Sequence, residues 1–454
     1  MDFCFRNLIG VVRMNKRIVV IATHDFGGAG EAAFRITRAL RQLGHEVIML
    51  VKHKTKPETF ITQIHRKLKP SRSLVFRVSH KIFDKVSEKV SKYEKRNYVI
   101  PELHTNPNFH FYNADEEIGL DDTTDLEEAI PFQPDLILVG WVSSFINTRN
   151  MQELGQATQA PVYWLTTDMA PMTGGCHYAW NCLGYTRDCA NCPAILTDEL
   201  KQLAKKNLLL KLNYVSTGNI KVLAGSEWCR RQATTSTLFG AQSHIAVLNG
   251  VIDQHVFNDR CRSIAKQVFG VGSTNKLIFS GATFTHDLRK GIDYLVNALQ
   301  QLSARMTIAE QTNTLVLVAG NNISENELVK QIPFKVVPAD FIKDDRLLSL
   351  AYQAADLFVC SSIEDSGPMM VNEALACGTP VVGFDLGFVA DIVEHGQNGF
   401  RVPLKNTQLM AECMHAILVL SANEQVMFSQ RAIEAINEKV SLQRLEEIIL
   451  QLAN

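Results

Sequence analysis

The chain has 454 residues, of which 46% are hydrophobic and 20% charged, with a formal net charge of −1. This length allows two or three domains with substantial cores. The near-zero net charge argues neither for nor against a nucleic-acid partner. No apolar run reaches the roughly 18 residues that a membrane-spanning helix requires.

The first thirteen residues, MDFCFRNLIGVVR, are too short and too broken by polar residues for a signal peptide. Ten cysteines in so long a chain do not suggest a secreted disulfide scaffold. We therefore expect a cytoplasmic protein.

The N-terminal half opens with a βαβ pattern. Residues 18–22 are a continuous apolar run, which is typical of a strand buried on both faces of a parallel sheet. A glycine-rich turn at 27–30 precedes a helical apolar pattern, and residues 47–51 predict the next strand. Further short strands are predicted at 135–139, 162–165 and 222–224.

A second series of strands and helices follows, with a predicted helix at 292–302 and a strand ending in a turn at 247–251. The predicted strands of this half lie at 277–280, 314–319, 335–337, 357–360 and 381–383. The pattern predicts two doubly wound α/β domains that face each other across a cleft, with ligands beyond the carboxyl ends of the strands. We expect domains at 14–249 and 250–424, and C-terminal helices at 425–454 that pack back across the interdomain region.

One segment, residues 65–96, is strongly charge-biased, with eleven Lys or Arg against three acids. Its apolar residues recur near the helical period, so it could form a basic amphipathic helix on an anionic membrane surface. The alternative is a solvated helix that packs its apolar stripe on the N-terminal domain.

The most informative motif is SSIEDSGPMMVNEALACGTPVVG at 361–383. A strand at 357–360 places Glu364, Asp365, Ser366 and Gly367 in a loop, and residues 369–376 continue as a helix. A helix N-terminus favours an anion such as phosphate, and Gly367 lets the backbone approach a ligand. The carboxylate of Glu373 can accept hydrogen bonds from a ribose diol. These features indicate a nucleotide-sugar site.

This string resembles the acid-x7-acid signature of retaining glycosyltransferases of family 4, which have the GT-B fold with two Rossmann-like domains. Glu373 matches the second acid, and Asp365 lies eight positions before it. Glu364 is one position too early, so which acid contacts the donor sugar stays open. The resemblance places Ser366, Gly367, Met369, Met370 and Glu373 at the donor.

Two more segments carry the same resemblance. LNGVIDQHVF (248–257) is similar to the interdomain segment of the family, and SGATFTHDLRKGIDYL (280–295) to its phosphate-binding segment. The second implies that Lys290 binds the donor diphosphate, and that Arg289 replaces the charge missing at Ala282. Gly27 and Gly28 match the glycine-rich loop, whose amides would meet the diphosphate or the acceptor.

Four cysteines follow the spacing C-x5-C-x6-C-x2-C, which suits a structural tetrahedral zinc. The alternatives are two disulfides, four unligated thiols, or a site that includes His177. The metal-ligand candidates are Cys176, Cys182, Cys189 and Cys192. The same stretch, TTDMAPMTGGCHY, resembles glycosyltransferases of colanic-acid and exopolysaccharide assembly, but Thr167 stands where that subgroup has His and Ala170 where it has Trp.

The resemblance implies a hexosyltransferase that moves a sugar from a nucleotide-diphosphate donor to a hydroxyl of a glycan or lipid-linked glycan, with retention at the anomeric carbon. It also implies that the acceptor binds to the domain at 14–249, which carries a possible four-cysteine insert at 173–193, and that the donor binds to the domain at 250–424. Glu364, Asp365, Arg289 and Lys290 are the expected catalytic group. No metal is expected in catalysis, no nucleic acid among the partners, and peripheral contact with the inner membrane surface is one option. The alternatives are an inactive nucleotide-sugar-binding protein, an epimerase or a phosphorylase.

Overall fold

The computed structural model describes residues 15–65, 102–112, 116, 119–120, 122–282, 287–339 and 341–453. Residues 66–96 of the basic segment and the first thirteen residues lie outside these ranges, so the predictions made for them are not tested. Within the described part of the chain, no helix is both long enough and apolar enough to cross a membrane.

The N-terminal domain is built on a parallel sheet of six described strands in the order β3-β2-β1-β4-β5-β6. The strands are β1 (Arg17–His24), β2 (Glu46–His53), β3 (Ile61–Gln63), β4 (Leu136–Val139), β5 (Val162–Thr166) and β6 (Lys221–Ala224). Alternate residues of β1 enter different cores: Val19 and Ile21 join one apolar cluster, and Ile18 and Val20 join another. A strand that is buried on both faces reads as a continuous apolar run, which explains the sequence pattern.

Helices cover both faces of this sheet. They are α1 (Gly27–Gln42), α2 (Thr124–Ala129), α3 (Thr148–Thr158), α4 (Leu203–Thr217) and α5 (Glu227–Thr235). Helix α1 buries Ala33, Ile36 and Leu40 at helical spacing, as the sequence predicts. Asn147 and Asn150 form a reciprocal capping box at the start of α3, which satisfies backbone N–H groups that have no partner within the helix.

The C-terminal domain repeats this topology in the order β12-β11-β10-β7-β8-β9. Its strands are β7 (Lys276–Gly281), β8 (Thr314–Ala319), β9 (Lys335–Ala339), β10 (Leu357–Cys360), β11 (Val381–Phe384) and β12 (Gly399–Val402). Its helices are α6 (Arg262–Val268), α7 (Ile292–Arg305), α8 (Ile308–Asn313), α9 (Asp345–Ala354), α10 (Met369–Ala376), α11 (Gly387–Ile392) and α12 (Thr407–Leu418). In both sheets the first strand of the domain pairs with the second and the fourth. The predicted doubly wound architecture is confirmed.

The tail is helical, as expected, and its two helices pack on different domains. Helix α13 (Ala422–Lys439) buries Ala432, Ala435 and Ile436 in the core of the C-terminal domain. Helix α14 (Leu442–Leu452) buries Leu445, Ile448, Ile449 and Leu452 against the N-terminal sheet. The hydrogen bond between His45 Nε2 and Glu446 Oε2, at 2.7 Å, fixes α14 there. The chain therefore crosses between the domains a second time.

Two local predictions differ from the structure. Residues 247–251 do not form a strand: Val247 makes an isolated parallel bridge to Ala224, and Asn249 and Gly250 then turn the chain with φ of 55° and 79°. The edge strands β3 and β12 were not predicted. β3 has three residues and β12 four, which is too short for a recognisable pattern.

Candidate active site

A cavity of about 830 Å³ lies between the two domains. It is lined by residues at the carboxyl ends of strands from both sheets, among them Trp141 after β4, Thr167 after β5, Ala282 after β7 and Ser361 after β10. Ligands of doubly wound sheets bind at this edge because the loops that follow the strands are free to carry functional groups. The cavity is of the size that encloses a small organic ligand.

Asp365 and Lys290 form an ion pair on the C-terminal side of this cavity. The Lys290 Nζ to Asp365 Oδ2 distance is 2.5 Å, and both residues line the cavity. Burial opposes ionisation of Asp365, but the positive charges of Lys290 and Arg289 outweigh it and lower the pKa of the carboxyl. Asp365 is therefore charged at neutral pH. The ion pair keeps the Lys290 ammonium at the cavity, where the ammonium can bind an anionic ligand.

Glu373 also lines the cavity, and both of its carboxylate oxygens accept hydrogen bonds. Oε1 accepts from the Arg35 guanidinium at 2.7 Å, and Oε2 accepts from the Tyr352 hydroxyl at 2.9 Å. Tyr352 comes from α9 of the same domain, whereas Arg35 reaches across from α1 of the N-terminal domain. The carboxylate is thus fixed in one orientation, and each oxygen keeps a second lone pair for a ligand hydroxyl.

Arg35 is the centre of a buried ionic cluster between the domains, with only 6% of its side chain exposed. Besides Glu373 it pairs with Asp345 at 3.4 Å and with Glu31 at 3.3 Å, and its guanidinium lies over the Phe257 ring. Burial alone would lower the pKa of Arg35, but the charges of Glu373 and Asp345 raise it above its ordinary value. The guanidinium is charged, and it ties the two walls of the cavity together.

Arg289 is buried on the C-terminal side, with its guanidinium carbon 3.7 Å from the centre of the Tyr178 ring. It pairs with Asp287 at 2.5 Å and donates to the carbonyl oxygen of Glu364 at 3.4 Å. Burial opposes its charge, but the neighbouring Tyr178 and carboxylates raise its pKa. Arg289 still lines the cavity next to Lys290, so the two cations expected at the diphosphate lie together.

Glu364 is separated from the other expected catalytic residues. It is not among the residues that line the cavity, and it accepts a hydrogen bond from the backbone N–H of Trp180 in the cysteine segment. Burial raises the pKa of Glu364 to about 7, and its Oε1 has no hydrogen-bond partner among the described residues. Of the two adjacent acids, the structure places Asp365 on the cavity and Glu364 behind it.

The loop and first helical turn of the motif face the cavity, and Ser366, Gly367, Met369 and Met370 all line it. The Ser366 hydroxyl donates to the carbonyl oxygen of Thr167 in the N-terminal domain, which is a direct contact between the walls. Gly367 is needed for packing, because a Cβ there would lie 2.7 Å from the Phe388 ring. This reason differs from the expected close approach of a ligand.

On the N-terminal side, Gly27 and Gly28 begin α1 at the cavity. Gly27 has a φ of 71°, which favours glycine, and a Cβ built on either residue would meet no atom within 4 Å. The backbone amides of this first turn have no partner within the helix, so they can bind an anion or a hydroxyl in the cavity.

The four cysteines of the predicted zinc site lie around one small apolar cavity: Cys176, Cys182, Cys189 and Cys192. All four are free thiols. Burial raises the pKa of Cys189 to about 11 and also raises that of Cys192, so both are protonated at neutral pH. In the described part of the chain, no three or more His, Cys, Asp or Glu side chains are arranged to hold a metal ion. The zinc stays a prediction.

His177 lies outside the cysteine cluster and faces the interdomain cavity. Its Nδ1 is 2.7 Å from Asp168 Oδ2, and its Nε2 is 3.3 Å from Ser143 Oγ. The Trp141 indole N–H also points at Nδ1, at 3.1 Å. We assign a proton to His177 Nδ1, which then donates to Asp168 Oδ2, because this contact is the shorter one and a carboxylate can only accept. His177 and Asp168 therefore form a buried pair near Thr167.

Two functional candidates, Arg35 and Tyr352, were not recognised in the sequence. Arg35 lies four residues after Glu31 on α1, which is the spacing of an ordinary surface ion pair. Tyr352 lies on an amphipathic helix and would be read as a core residue. Their relation to Glu373 becomes visible only when the two domains face each other.

Comparison with known proteins agrees with this geometry. Residues 274–419 match the family model described as glycosyl transferases group 1. This segment contains Arg289, Lys290, Asp365 and Glu373, so the C-terminal part of the chain is similar to group 1 glycosyltransferases. The predicted resemblance to glycosyltransferases is thereby confirmed for this segment.

Curated relatives match parts of the chain. An uncharacterized glycosyltransferase of Methanocaldococcus jannaschii is 31% identical over 151 residues, which is 32% of this chain and 36% of the relative. The N-acetyl-alpha-D-glucosaminyl L-malate synthase of Bacillus anthracis is 23% identical over 218 residues, covering 48% of this chain and 54% of that protein. The chain thus spans between a third and just over half of the length of these relatives.

Solved structures match over nearly the whole chain and show the fold. The sucrose-phosphate synthase of Thermosynechococcus elongatus superposes with a TM-score of 0.59 at 16% identity, covering 96% of this chain and 98% of that one. Anabaena HepE in complex with UDP-glucose gives 0.58 at 13% identity, covering 96% and 99%. Together with the two parallel sheets, these similarities identify a GT-B fold, as predicted.

Proposed function

We propose that this protein is a retaining glycosyltransferase. It transfers a sugar from a nucleoside-diphosphate sugar to a hydroxyl of a glycan or lipid-linked glycan in the assembly of cell-surface polysaccharide. The retaining mechanism and the polysaccharide role rest on the motif resemblance described above, and the class of enzyme rests on the geometry of the interdomain cavity.

One observation carries the proposal: the interdomain cavity brings Lys290, Asp365 and Glu373 of the C-terminal wall opposite the first turn of α1. An ammonium group that shares a cavity with a helix N-terminus is suited to a diphosphate. A fixed carboxylate nearby is suited to the vicinal hydroxyls of a ribose. A nucleoside diphosphate contains both a diphosphate and a ribose, and the two are joined directly to each other.

The reaction breaks the bond between the anomeric carbon and the diphosphate oxygen, and forms a bond from that carbon to the acceptor oxygen. Negative charge develops on the leaving diphosphate, and Lys290, Arg289 and the start of α10 would stabilise it. The acceptor proton passes to a diphosphate oxygen on the same face of the sugar, so that the configuration is retained. Closure of the two domains would exclude water, which would otherwise hydrolyse the donor.

The first donors to test are UDP-sugars, since UDP and UDP-glucose are the ligands named for the similar Anabaena structures. GDP-sugars are the alternative. We also propose that the protein works at the cytoplasmic side, where nucleotide sugars are available, with peripheral contact to the membrane if its acceptor is lipid-linked.

The test is a thermal-shift screen of UDP- and GDP-sugars, followed by measurement of nucleoside diphosphate release in the presence of candidate acceptors. A bound donor raises the melting temperature by mass action. Lys290→Ala should abolish the shift, while the surface variant Lys330→Ala should keep it. A wild-type protein that responds to no nucleotide sugar would contradict the proposal. Donor binding without transfer to any glycan would instead support an inactive binding protein, for which the departures at Thr167 and Ala282 are the motivation.

A further inference from the structure

The segment that joins β5 to α4 has little regular structure. Its backbone takes left-handed conformations at Trp180, Cys189 and Asn191, with φ between 51° and 53°. Residues 167–202, all of which the structure describes, contain no α-helix and no strand, only the short 3₁₀ turns Ala170–Met172, Gly184–Thr186 and Asp198–Leu200. Irregular loops longer than about 15 residues are uncommon in compact domains, and non-glycine residues with positive φ persist only where their surroundings impose them. Contacts other than those of a helix or a sheet therefore fix this segment.

Four thiols of this segment lie around one space, and we name them the thiol cluster: Cys176, Cys182, Cys189 and Cys192. All four are free, and they line the same small apolar cavity. Cys176 lies close enough to the other three to interact with them electrostatically. A Cβ built on Gly184 would lie 3.3 Å from Cys182 Sγ and 3.7 Å from Cys189 Sγ, so this glycine leaves room between the two sulfurs. Four soft donor atoms therefore share one enclosed space.

Backbone N–H groups point at sulfurs of the thiol cluster. The N–H of Gly184 donates to Cys182 Sγ at 3.4 Å, and the N–H of Ala194 donates to the sulfur of Cys192. In both cases the donor lies two positions after the cysteine. A neutral thiol is only a weak acceptor, whereas a thiolate bound to a metal ion keeps negative charge that an N–H donor stabilises. The backbone is thus arranged for thiolate ligands.

The sulfurs need a small movement before they can bind a metal ion together. In the part of the chain that the structure describes, they are not placed as a complete ligand set. Nothing draws neutral thiols together, and rotation about χ1 moves a cysteine sulfur between staggered positions without displacing the backbone. A zinc ion bonds thiolate sulfur at about 2.3 Å and selects a tetrahedron of four ligands. We expect such an ion to draw the four sulfurs inward by side-chain rotation.

The thiol cluster encloses residues that contact the expected catalytic groups. Tyr178 and Trp180 lie between the first two cysteines of the cluster. The centre of the Tyr178 ring is 3.7 Å from the guanidinium carbon of Arg289, and the backbone N–H of Trp180 donates to Glu364. Both contacts join this segment of the N-terminal domain to the C-terminal domain. Whatever orders the segment therefore also positions its contacts with Arg289 and Glu364.

We propose that the thiol cluster binds one Zn²⁺, and that the ion fixes the segment that contacts Arg289 and Glu364. On binding, four S–H bonds break, four Zn–S bonds form and the protons pass to solvent, with no change of oxidation state. Four thiolates leave no open position on zinc, so the ion has a structural role. His177 is outside the ligand set, because it faces the interdomain cavity. The inference does not depend on the proposed function.

The first experiment measures the metal content of the full chain, purified without added metal or chelator, by inductively coupled plasma mass spectrometry. Wild type should carry about one zinc ion per chain. Cys182→Ser and Cys192→Ser should lose most of this zinc, because a hydroxyl is a poor ligand for it. Cys261→Ser is the matched control, because Cys261 is a free thiol outside the cluster, and it should keep the zinc content of wild type.

Limited digestion with trypsin then tests whether the ion fixes the segment. Arg187 is exposed and lies between the second and third cysteines of the cluster. Cleavage after Arg187 requires the surrounding backbone to open. Removal of zinc with a chelator should speed this cleavage about 10-fold or more, and added Zn²⁺, but not Mg²⁺, should reverse the effect.

Four results of the metal measurements would overturn the inference. They are wild-type protein without stoichiometric zinc, iron in place of zinc, a protein mass that shows disulfides among the four cysteines, or full zinc content in both cluster variants. Trypsin cleavage that is unchanged by zinc removal would overturn the role assigned to the ion.

If the cluster variants do not fold, a mercurial thiol reagent is titrated into wild-type protein, and released zinc is read with an indicator dye. Release of about one zinc ion per chain as the thiols react supports the site, and release of none overturns it. Failure of wild type to bind any nucleotide sugar would contradict the proposed function and would leave the zinc measurement unaffected.

Discussion

The two walls of the interdomain cavity differ in chemistry. The C-terminal wall carries charged side chains that are already paired, such as Lys290 with Asp365 and Glu373 with Arg35. The N-terminal wall carries half-exposed rings, such as Phe26 and Tyr112, beside charged groups that include Lys56 and Asp168. A wall of fixed ion pairs suits a ligand that always carries the same diphosphate and ribose. A wall of rings suits a ligand identified by shape, and this is where we expect relatives to differ.

The largest effect is expected where the walls are joined, at Arg35. Arg35→Ala leaves Glu373 buried with only the Tyr352 hydroxyl as partner, and removal of one member of a buried ion pair costs about 3–5 kcal/mol. Chemical denaturation should show this loss of unfolding free energy. Arg38 on the same helix pairs with Asp253 but is 43% exposed, so Arg38→Ala should cost about 1 kcal/mol or less. Equal losses in the two variants would show that the walls are not joined through Arg35.

The next largest effect is expected at Glu373 and concerns activity. Glu373→Gln keeps the side-chain shape but removes the charge that would accept the ribose hydroxyls, and hydrogen bonds to charged groups contribute about 1.5–3 kcal/mol each. Nucleoside diphosphate release should fall about 100-fold. Arg35 keeps Asp345 and Glu31 as partners, so this variant should be more stable than Arg35→Ala. The surface variant Glu412→Gln is the control, and full activity in Glu373→Gln would argue against ribose binding at this carboxylate.

Glu373 and Arg35 show which features of the molecule can be predicted from the sequence and which cannot. Strand β8, strand β10 and helix α10 have the bounds that were predicted, because each is a buried apolar run or a helix with a proline before it. Glu373 could be singled out from the sequence because the whole motif lies in one loop and one helix, and the structure places it at the cavity. Arg35 was not, since its partner lies 338 positions away and only the packing of the domains brings them together.

The choice between Glu364 and Asp365 depends on the direction in which each side chain points. Adjacent residues in a loop point in different directions, and a pattern of residue types does not give that direction. Here Lys290 pairs with Asp365, and Glu364 turns toward the backbone of Trp180. Likewise, the neighbouring rings of His24, Trp141 and Tyr112 come from three distant segments without a common motif, so their contact could not be predicted from the sequence.

A smaller effect is expected behind the C-terminal wall, at Glu364. Its folded pKa of about 7 is above its ordinary value of 4.5, so the folded protein binds a proton more tightly than the unfolded chain. This contribution to stability is fully present below about pH 4.5 and is lost as the pH rises through 7. The melting temperature should therefore fall between about pH 4.5 and 7, by an amount equivalent to about 1–2 kcal/mol.

Glu364→Gln should remove much of this pH dependence, because the amide stays neutral throughout, and Glu412→Gln should leave it unchanged. The measurement is a series of melting curves at constant ionic strength. An identical slope in Glu364→Gln and wild type would show that another group is responsible. Nucleotide affinity should not change in this variant, because Glu364 does not line the cavity.

The smallest effect is expected at the glycine turn, and it distinguishes the two walls directly. A Cβ on Gly28 would project into open space in the cavity, so Gly28→Ala should fold with an unchanged melting temperature. The added methyl group should contact the donor or the acceptor bound there and lower the affinity for that ligand several-fold. Gly27→Ala is the matched variant: its φ of 71° is strained for alanine, which should cost about 1 kcal/mol of stability.

Weaker UDP binding in Gly28→Ala would mean that the donor diphosphate touches the N-terminal wall as well. A higher KM for the acceptor, with UDP affinity unchanged, would keep the donor on the C-terminal wall alone. If neither quantity changes, the glycines serve only the turn, and the N-terminal wall binds its ligand through the rings.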